Sequence, residues 1–391
     1  MALQLLTSFL PLLLLLLCFT NLTMAAYNIL SFGAKPDGWR DSAPALLAAW
    51  GKACGDKKPA TLVVPKGYFL VSRALFQGPC KNNNIRWLIH GTIVGDSAYS
   101  GASEWITFKY VEGLSLYSAT FDARGQSLWS CKAANRSCPT GSTALTISQS
   151  KNVTLSGVTV KNSENFQIAI MFSQGIRVEG ATVTAPVDSP NTDGIHVHMS
   201  SLVSITNSTI RTGDDCISLG TGVTNISVQD IRCGPGHGIS IGSLGGSPGD
   251  TIVQNVTVSS VILTGTQNGL RIKTWANPYD GFVSGIVFRH AIMNNVQNPI
   301  IIDQNYCPGN ANCPNQSSGI KISGVLFEDV KGSSATAVAV KLDCSRSNPC
   351  SGIELTSINL SYNGNKRRMA ESFCRNVEGR SSGLVNPPSC L

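Results

Sequence analysis

Two carboxylates stand side by side in the stretch TGDDCISLG, which runs from Thr212 to Gly220 and contains Asp214 and Asp215. Charged residues make up only 14% of the chain, so two adjacent like charges beside an apolar run need an explanation. Two carboxylates in one site repel each other, and one of them tends to keep its proton. Such a pair suits acid–base chemistry. The alternative is a surface turn with two aspartates, and neighbouring residues must decide between them.

Two other stretches align with this one without gaps. The segments TDGIHV, DDCISL and GHGISI begin at Thr192, Asp214 and Gly236, a constant spacing of 22 residues. If they are successive stacked strands, Asp193, Asp215 and His237 occupy the same position about 4.8 Å apart. The sequence therefore predicts one outward column of titratable side chains. Asp214 lies one residue before this position, and a bend at Gly213 would keep both carboxylates on the outside.

Two cations and a tyrosine follow in the next repeats. Arg271 and Lys273, in GLRIKTW, are two residues apart and share a face of a strand. The later stretch IIIDQNYC adds Tyr306. A solvated strand face explains two cations taken alone, but beside a column of carboxylates they suit an anionic substrate. His196 and His198 also share a strand face, where a metal site is an alternative to ordinary polar residues, although no third ligand accompanies them.

Short β-strands must position these residues. From about Ser142 onward, strand-like segments rich in Val, Ile and Thr recur between Gly, Asn and Ser, and helical periodicity is absent. Short strands at a period of roughly 20 to 30 residues predict a solenoid of strands, a parallel β-helix. A β-sandwich also has short strands, but the constant spacing disfavours it. An amphipathic helix over Ala43–Ala53, capped by Ser42 or Asp41, is predicted to cover the open N-terminal end, and no clear strand follows Glu371.

The N-terminus predicts export. The Leu-rich run from Phe9 to Phe19 is short for a membrane span and small residues follow it, which is typical of a secretory signal peptide over residues 1–26. An N-terminal anchor is the alternative, and the early residues lack a Lys or Arg. The remaining residues, 27–391, are predicted to form one solenoid domain without a later membrane segment.

Cysteine usage agrees with a secreted protein. The chain has 13 cysteines, and removal of the predicted signal takes away Cys18 and leaves an even number, which favours disulfides. Zinc is disfavoured because no CxxC pair occurs and histidine is scarce. The closely spaced candidate pairs are Cys131/Cys138, Cys307/Cys313, Cys344/Cys350 and Cys374/Cys390.

The net charge and the glycosylation sequons also fit an extracellular setting. A formal charge of +7 suits an anionic polysaccharide as partner. Nucleic acid is disfavoured because no Lys/Arg run exceeds NKRRM near residue 367 and no nucleic-acid-binding motif occurs. Past the predicted signal, seven Asn-x-Ser/Thr sequons, expected to be glycosylated in part, occur at Asn135, Asn152, Asn207, Asn225, Asn255, Asn315 and Asn359.

Four motifs in order, at the spacing of the repeats, resemble the plant polygalacturonases of glycoside hydrolase family 28. They are SPNTDGIHV (189–197), TGDDCISLG (212–220), CGPGHGISIGSLGG (233–246) and GLRIKTW (269–275), and flanking stretches such as FGAKPDG (32–38) agree. The resemblance extends over nearly all of the chain after the signal. It implies a single-domain, all-β, right-handed parallel β-helix that hydrolyses α-1,4 bonds between galacturonate units of pectin and inverts the anomeric centre.

The resemblance also implies residue roles. Asp214 is the general acid, Asp215 and Asp193 hold and activate the water, and His237 supports protonation of the acid or binds sugar. The substrate carboxylate is bound by Arg271 and Lys273, Tyr306 lines the sugar subsite, and a Cys216–Cys233 disulfide braces the catalytic coils. On physical grounds, the charges of Asp193 and Asp215 are expected to raise the pKa of Asp214 and keep it protonated. No cofactor or metal is expected.

Two departures from the family pattern bear on specificity. Gln167 stands where relatives usually have His and is expected near a substrate subsite, and Ala123 stands where Gly is usual. The stretches LWSCK and RSCP resemble exo-acting members, which favours release of single terminal units over internal cuts.

Three alternatives remain to the pectin hydrolase: a calcium-dependent pectate lyase, a rhamnogalacturonan hydrolase, and a wall-binding relative without activity. The intact Asp193, Asp214 and Asp215 disfavour the last. The prediction is a secreted, monomeric, extracellular enzyme of the cell wall that acts on pectin or polygalacturonate.

Overall fold

Short parallel strands make up most of the chain. The computed structural model describes residues 25–98, 101–249, 251–364 and 369–391. The predicted signal peptide lies outside the described residues except for its last two positions, and so does most of the NKRRM run. The first half of the chain contains β1 (Ala25–Asn28), β2 (Asp37–Asp41), α1 (Ala43–Gly55), β3 (Ala60–Val64), β4 (Tyr68–Leu70), β5 (Ala74–Gln77), β6 (Ile85–Ile89), β7 (Thr92–Val94), β8 (Glu104–Lys109), β9 (Leu114–Tyr117), β10 (Thr120–Asp122), α2 (Gln126–Ala133), β11 (Thr143–Ser148), β12 (Lys151–Ser156), β13 (Thr159–Lys161), β14 (Ile168–Met171), β15 (Gln174–Glu179) and β16 (Thr182–Thr184).

The second half contains longer strands of the same kind. They are β17 (Ile195–His198), β18 (Ser201–Arg211), β19 (Asp215–Leu219), β20 (Val223–Cys233), β21 (Gly238–Leu244), β22 (Thr251–Thr264), β23 (Asn268–Trp275), β24 (Gly281–Val296), β25 (Asn298–Tyr306), β26 (Ile320–Ser334), β27 (Val338–Asp343), β28 (Cys350–Tyr362), β29 (Glu371–Arg375) and β30 (Val377–Asn386). Short 3₁₀ turns cover Ile29–Phe32 and Pro308–Asn310.

The strands form two parallel sheets that face each other across the core. The smaller sheet has 11 strands in chain order, namely β5, β8, β11, β14, β17, β19, β21, β23, β25, β27 and β29. The other strands form a 19-stranded sheet. Each coil contributes one strand to the smaller sheet and then returns through the larger one, with the right-handed crossover that parallel strands adopt. This confirms the predicted right-handed parallel β-helix.

Stacked aliphatic columns hold successive coils together. In the smaller sheet, Ile195 pairs with Ile217, Ile217 with Ile239, and Ile239 with Leu270. These side chains are fully buried. The inward column fixes the register, because a slip of one residue would turn every apolar side chain outward. The same register directs the intervening residues of these strands to the outer face, where the polar groups lie.

Helix α1 covers the N-terminal end of the solenoid, as predicted. It extends two residues beyond the predicted end at Ala53, and the carboxylate of Asp41 accepts a hydrogen bond from the N–H of Ala43 at 2.9 Å. Ser42 makes no side-chain cap. Trp50 projects into the coil and contacts the rings of Phe76, Trp87 and Phe108 at centroid distances of 5.7, 6.3 and 5.9 Å.

The C-terminal segment corrects the sequence analysis, which found no clear strand after Glu371. Strands β29 and β30 continue both sheets by pairing with β27 and β28. Their alternation is weak because most residues of this last coil are exposed or half-buried. A terminal coil has a neighbour on one side only, so its sequence carries little of the apolar pattern on which the prediction depended.

Six disulfides occur in the described residues. The five predicted pairs are confirmed, namely Cys131–Cys138, Cys216–Cys233, Cys307–Cys313, Cys344–Cys350 and Cys374–Cys390. The sixth, Cys54–Cys80, joins the end of α1 to the turn after β5, and the sequence analysis did not pair these residues. In the described part of the chain, no helix is long and apolar enough to cross a membrane.

Candidate active site

The paired carboxylates lie at the entry to strand β19. Asp215 is the first residue of β19, and Asp214 lies just before it in a bend with Gly213. The N–H of Gly213 donates to Oγ1 of Thr192 in the preceding coil at 3.1 Å. A Cβ at Gly213 would lie 2.1 Å from the carbonyl oxygen of Ser189, so only glycine allows this approach. The expected bend is present, and oxygens of the two carboxylates lie within 4.8 Å of each other, but Asp215 is buried and is not exposed on the outside as expected.

The predicted column of Asp193, Asp215 and His237 is only partly correct. Ile217 pairs with Ile239 at the predicted spacing, but Asp215 pairs with Gly238 because the register shifts between Asp215 and Ile217. Such a bulge re-aims the side chains beside it. His237 consequently lies beside Asp214, and its N–H donates to the carbonyl oxygen of Asp214 at 2.8 Å.

Asp214 and His237 form a hydrogen-bonded pair through their side chains as well. Nδ1 of His237 lies 2.9 Å from Oδ1 of Asp214, and the N–H of Asp215 donates to the same oxygen at 2.8 Å. The His237 side chain is 39% exposed and that of Asp214 is 19% exposed. The imidazole therefore reaches the surface and contacts one oxygen of a carboxylate that is itself partly exposed.

Asp215 forms a buried ion pair with Lys273. Nζ of Lys273 donates to Oδ2 of Asp215 at 2.8 Å, and the two side chains are 8% and 2% exposed. The hydroxyl of Ser240 donates to the other oxygen at 2.9 Å. A buried charge is stable only when its lone pairs are satisfied in this way. Lys273 and Ser240 come from the two following coils, so three consecutive turns of the solenoid hold this one carboxylate.

The pKa values of the carboxyls differ from the expectation based on repulsion alone. Burial opposes ionisation of Asp214, but the hydrogen bond and charge of His237, the N–H of Asp215 and the charge of Lys273 outweigh it and lower the pKa of Asp214. The pKa of Asp193 is instead raised well above its usual value by burial and then by the charges of Asp214 and Asp215, which Ser218 and Lys273 oppose only in part. In the free protein, the cluster therefore keeps its proton on Asp193. The expected rise in the pKa of Asp214 is wrong because it omitted the contact with His237.

Arg271 and Lys273 converge on Tyr306, as their spacing predicted. The Arg271 guanidinium carbon and Nζ of Lys273 each lie 5.2 Å from the centroid of the Tyr306 ring. Trp275 packs against the same ring at 5.2 Å, edge to face. Among the described residues, Nε of Arg271 is buried without a hydrogen-bond partner, so the position of the guanidinium depends on packing against the Tyr306 ring.

Two cavities meet at Asp214. One has a volume of about 420 Å³ and is lined by Asp193, Asp215, His196, His198, Phe166 and the loop Gly242–Ser247. The other has a volume of about 660 Å³ and is lined by His237, Asn268, Arg271, Asn298 and Asp303. Asn191, Asp214, Lys273 and Tyr306 line both. A chain molecule can therefore lie in both cavities with Asp214 at the junction.

The two histidines of HVHMS lie in the first cavity and interact with aromatic rings and a hydroxyl. The ring of His196 stacks on Phe166 at 4.4 Å and lies 6.2 Å from that of His198. Nδ1 of His196 lies 2.8 Å from the hydroxyl oxygen of Ser218. Burial, followed by the charges of His198 and Lys273, lowers the pKa of His196 to about 4.

Within the described residues, one trio has metal-ligating atoms close together. It consists of Asp214, Asp215 and His237, whose ligand atoms lie within 4.8 Å of one another.

Gln167 follows Phe166, which lines the first cavity, and its N–H donates to the carbonyl oxygen of Asp193 at 2.8 Å, so its expected position near a substrate subsite stays a prediction. Its side chain is fully buried, and Oε1 accepts a hydrogen bond from the N–H of Ser163 at 3.0 Å. It stabilises a turn and does not line either cavity. Gly238 likewise has a structural role, since its φ is +92° and a Cβ there would lie 2.0 Å from the carbonyl oxygen of Asn268. This glycine brings two coils close together and does not make room for a sugar.

Sequence reasoning missed several residues of the site. Ser240 holds Asp215, Asn191 lines both cavities, and the amide of Asn268 donates to the carbonyl oxygen of His237 at 3.2 Å. Ser240 and Ser218 were detectable, since they occupy one position of the aligned repeats. Asn191 lies in the same motif as Asp193.

Comparison with known proteins agrees with this geometry. Residues 54–386 match the glycosyl hydrolases of family 28. The chain is 50% identical over 369 residues to a polygalacturonase of Prunus persica, covering 93% of this chain and 93% of the relative. It is 39% identical over 369 residues to an exopolygalacturonase of Platanus acerifolia, covering 93% and 97%. Its fold resembles that of a hyperthermoactive exopolygalacturonase from Thermotoga maritima, with a TM-score of 0.76, 18% identity and coverage of 90% and 91%. The chain therefore belongs to the glycosyl hydrolases of family 28.

Proposed function

We propose that the protein is a polygalacturonase that hydrolyses α-1,4 bonds between galacturonate units of pectin with inversion. The observation that carries this proposal is the position of Asp214, hydrogen-bonded to His237 at the junction of two cavities. Arg271 and Lys273 line the cavity beside it and suit a uronate ring, because a guanidinium can bind a carboxylate through two parallel hydrogen bonds. The identity of 50% to a relative named polygalacturonase supports the substrate.

Asp214 acts as the general acid in this proposal. Its lowered pKa favours the ionised form of Asp214 in the free protein. When the anionic sugar binds and excludes water, the Coulomb repulsion on Asp214 grows and favours uptake of a proton, which the partly exposed His237 relays from solvent across the 2.9 Å contact. The acid then protonates the glycosidic oxygen as the bond to the anomeric carbon breaks.

The water molecule is activated on the other side of the sugar. Asp215, held by Lys273 and Ser240, is the base that accepts a proton from the water. Asp193, which keeps its own proton in the free protein, orients that water as a hydrogen-bond partner. Attack on the face opposite the leaving group inverts the anomeric centre.

The first experiment replaces the acid. Asp214→Asn keeps the side-chain shape and removes the proton, so turnover of polygalacturonate is expected to fall about 10²–10⁴-fold while the far-UV circular dichroism spectrum and thermal midpoint stay close to those of the wild type. Asp230→Asn is the matched control, because Asp230 is exposed in strand β20 with a φ of 56° that asparagine tolerates. Near-wild-type turnover in a folded Asp214→Asn protein would remove the acid assignment.

Product analysis separates the alternatives. Hydrolysis without calcium is expected to release saturated products, whereas unsaturated products would indicate a lyase. Galacturonate monomer alone at early times would show terminal cleavage, which the LWSCK and RSCP stretches favour, and a ladder of oligomers would show internal cuts. These stretches form α2 and the loop closed by Cys131–Cys138. No product with a folded wild type would overturn the proposed function.

A further inference from the structure

A large basic depression lies outside the catalytic cleft, near the N-terminal end of the solenoid. Its volume of about 630 Å³ is comparable with that of the catalytic cavities, and its lining includes Lys57, Lys81, Lys151 and Tyr110. Glu112 is the single carboxylate among the lining residues. All three lysines are exposed, so their ammonium groups are available to an anionic ligand. The depression's lining residue Gln149 follows β11, two coils before the strand β17 that Asp193 precedes.

The depression is rigid. The disulfide Cys54–Cys80 closes its base, and the N–H of Lys81 donates to the carbonyl oxygen of Cys54 at 2.8 Å. The amide of Asn82 donates to the carbonyl oxygens of Ala53 and Asp56 at 3.0 and 2.9 Å. A ligand would therefore meet cations whose backbone is already fixed, which reduces the entropy lost on binding.

A row of large exposed side chains connects this depression with the catalytic cleft. Tyr110, Gln149, Phe172 and Met199 follow strands β8, β11, β14 and β17 at one corner of successive coils, and we call them the corner row. Each has a positive φ, at 57°, 48°, 53° and 46°. Tyr110, Phe172 and Met199 are 43%, 51% and 44% exposed. The ring of Phe172 lies 5.7 Å from that of His198, which lines the first catalytic cavity.

The residue types in the corner row are unusual for this backbone conformation. Positive φ values favour glycine and asparagine, whose side chains tolerate them. A neighbouring row with the same conformation does contain such residues, interrupted by Leu202: Asn152, Gly175, Asn225, Asn255, Gly285 and Gly324. The corner row instead places tyrosine, phenylalanine and methionine in solvent. Their side chains therefore have a role that the backbone does not require.

Charge and shape together specify the ligand. Several lysines around an exposed aromatic ring suit a polymer with regularly spaced carboxylates and apolar ring faces, because the cations attract the carboxylates and the aromatic face contacts sugar C–H groups. Nζ of Lys109 lies 5.2 Å from the centroid of the Tyr110 ring and adds a fourth cation. Tyr110 and Asp214 are separated by four coils, about 19 Å along the axis, which a polysaccharide spans easily.

We propose that the depression lined by Lys57, Lys81, Lys151 and Tyr110 is a second binding site for anionic polysaccharide, and that the corner row connects it with the catalytic cleft. The site anchors polygalacturonate away from the carboxylates that cut it. Only the choice of polygalacturonate as ligand rests on the proposed function.

Binding of polygalacturonate to a variant that does not cut tests this proposal. All proteins carry Asp214→Asn, and their retardation is measured in native gels that contain polygalacturonate at increasing concentration and at low salt. Adding Lys81→Gln and Lys151→Gln is expected to weaken binding about fivefold to tenfold. Tyr110→Asn, which keeps a residue suited to positive φ, is expected to weaken binding in the same direction without changing the thermal midpoint.

A matched pair of variants controls for net charge. Arg177→Gln with Lys321→Gln removes the same charge from exposed positions of the larger sheet, and binding is expected to stay within about twofold. Equal losses in both pairs would indicate a general charge effect and would overturn the second site, as would no loss in the Lys81/Lys151 pair. The assay measures binding alone. A wild type that binds through these lysines but yields no product would contradict the proposed function and leave the second site intact.

Discussion

At the scale of single residues, the site is governed by which neighbour each carboxylate meets. Asp214 contacts His237, Asp215 contacts Lys273, and Asp193 is buried near the other two carboxylates. The pKa of Asp214 is therefore lowered and that of Asp193 is raised, although their residue type is the same. Such separation of pKa values is typical of clusters in which carboxyls take different acid and base roles.

His196 should make folding sensitive to acid. Its pKa is about 4 in the folded protein against an ordinary value of about 6.5 when unfolded. Between these values the unfolded chain binds a proton that the folded protein does not, so stability falls as the pH falls from 6.5 towards 4. At about pH 4.5 the loss from this group is about 2–3 kcal/mol.

The measurement is urea unfolding of wild type and His196→Asn at about pH 7.5 and about pH 4.5. The loss of unfolding free energy between the two pH values is expected to be smaller in the variant, whatever its stability at neutral pH. Equal losses in both proteins would show that His196 does not titrate in this window.

At the scale of elements, strand β19 begins with an irregular segment. The bend at Gly213 and the bulge after Asp215 direct two adjacent side chains to one surface, which a regular strand cannot do. The disulfide Cys216–Cys233 joins the residue after Asp215 to the end of β20 and is almost fully buried. It links the irregular segment to a regular strand.

Removing that disulfide should affect both stability and catalysis. Cys216→Ala with Cys233→Ala is expected to lower the free energy of unfolding by about 2–4 kcal/mol and to reduce kcat on polygalacturonate, because Asp215 loses its fixed neighbour. The matched control is Cys131→Ala with Cys138→Ala in the loop after α2. Comparable losses of kcat in the two double variants would argue against a positioning role for Cys216–Cys233.

At the scale of the whole molecule, the solenoid exposes the site on its surface, and the stability of the molecule depends on contacts between coils. Each coil is held by its two neighbours, so the ends need covering. Helix α1 does this at the N-terminus, where the indole N–H of Trp50 donates to the carbonyl oxygen of Gln77 at 3.0 Å. The basic depression lies next to this covered end.

Trp50→Ala should therefore destabilise the whole molecule. A cost of about 3–5 kcal/mol is expected, since the substitution opens a cavity among buried rings and removes a hydrogen bond. Urea unfolding measures it, with Trp39→Ala as the control, because Trp39 is 86% exposed and its loss should change stability by less than about 0.5 kcal/mol. Similar unfolding midpoints for the two variants would show that the end of the solenoid does not depend on Trp50.

The sequence by itself determined the solenoid fold and most residues of the candidate site. A constant spacing in the segments at Thr192, Asp214 and Gly236 revealed stacked strands, and the closely spaced cysteines revealed their own partners. These signals are local or strictly periodic, so they can be read without coordinates. All seven sequon asparagines also lie at exposed positions in the structure, at Asn135, Asn152, Asn207, Asn225, Asn255, Asn315 and Asn359.

Only the tertiary structure decided what those residues do to one another. The bulge after Asp215 moved His237 beside Asp214, and the distances that resulted lowered one pKa and raised another. Burial of Gln167, the Cys54–Cys80 bridge and the C-terminal strands depend on contacts between coils that periodicity does not encode. Electrostatic energies vary steeply with distance and burial, so a shift of one residue between neighbouring strands is enough to reassign the proton in the site.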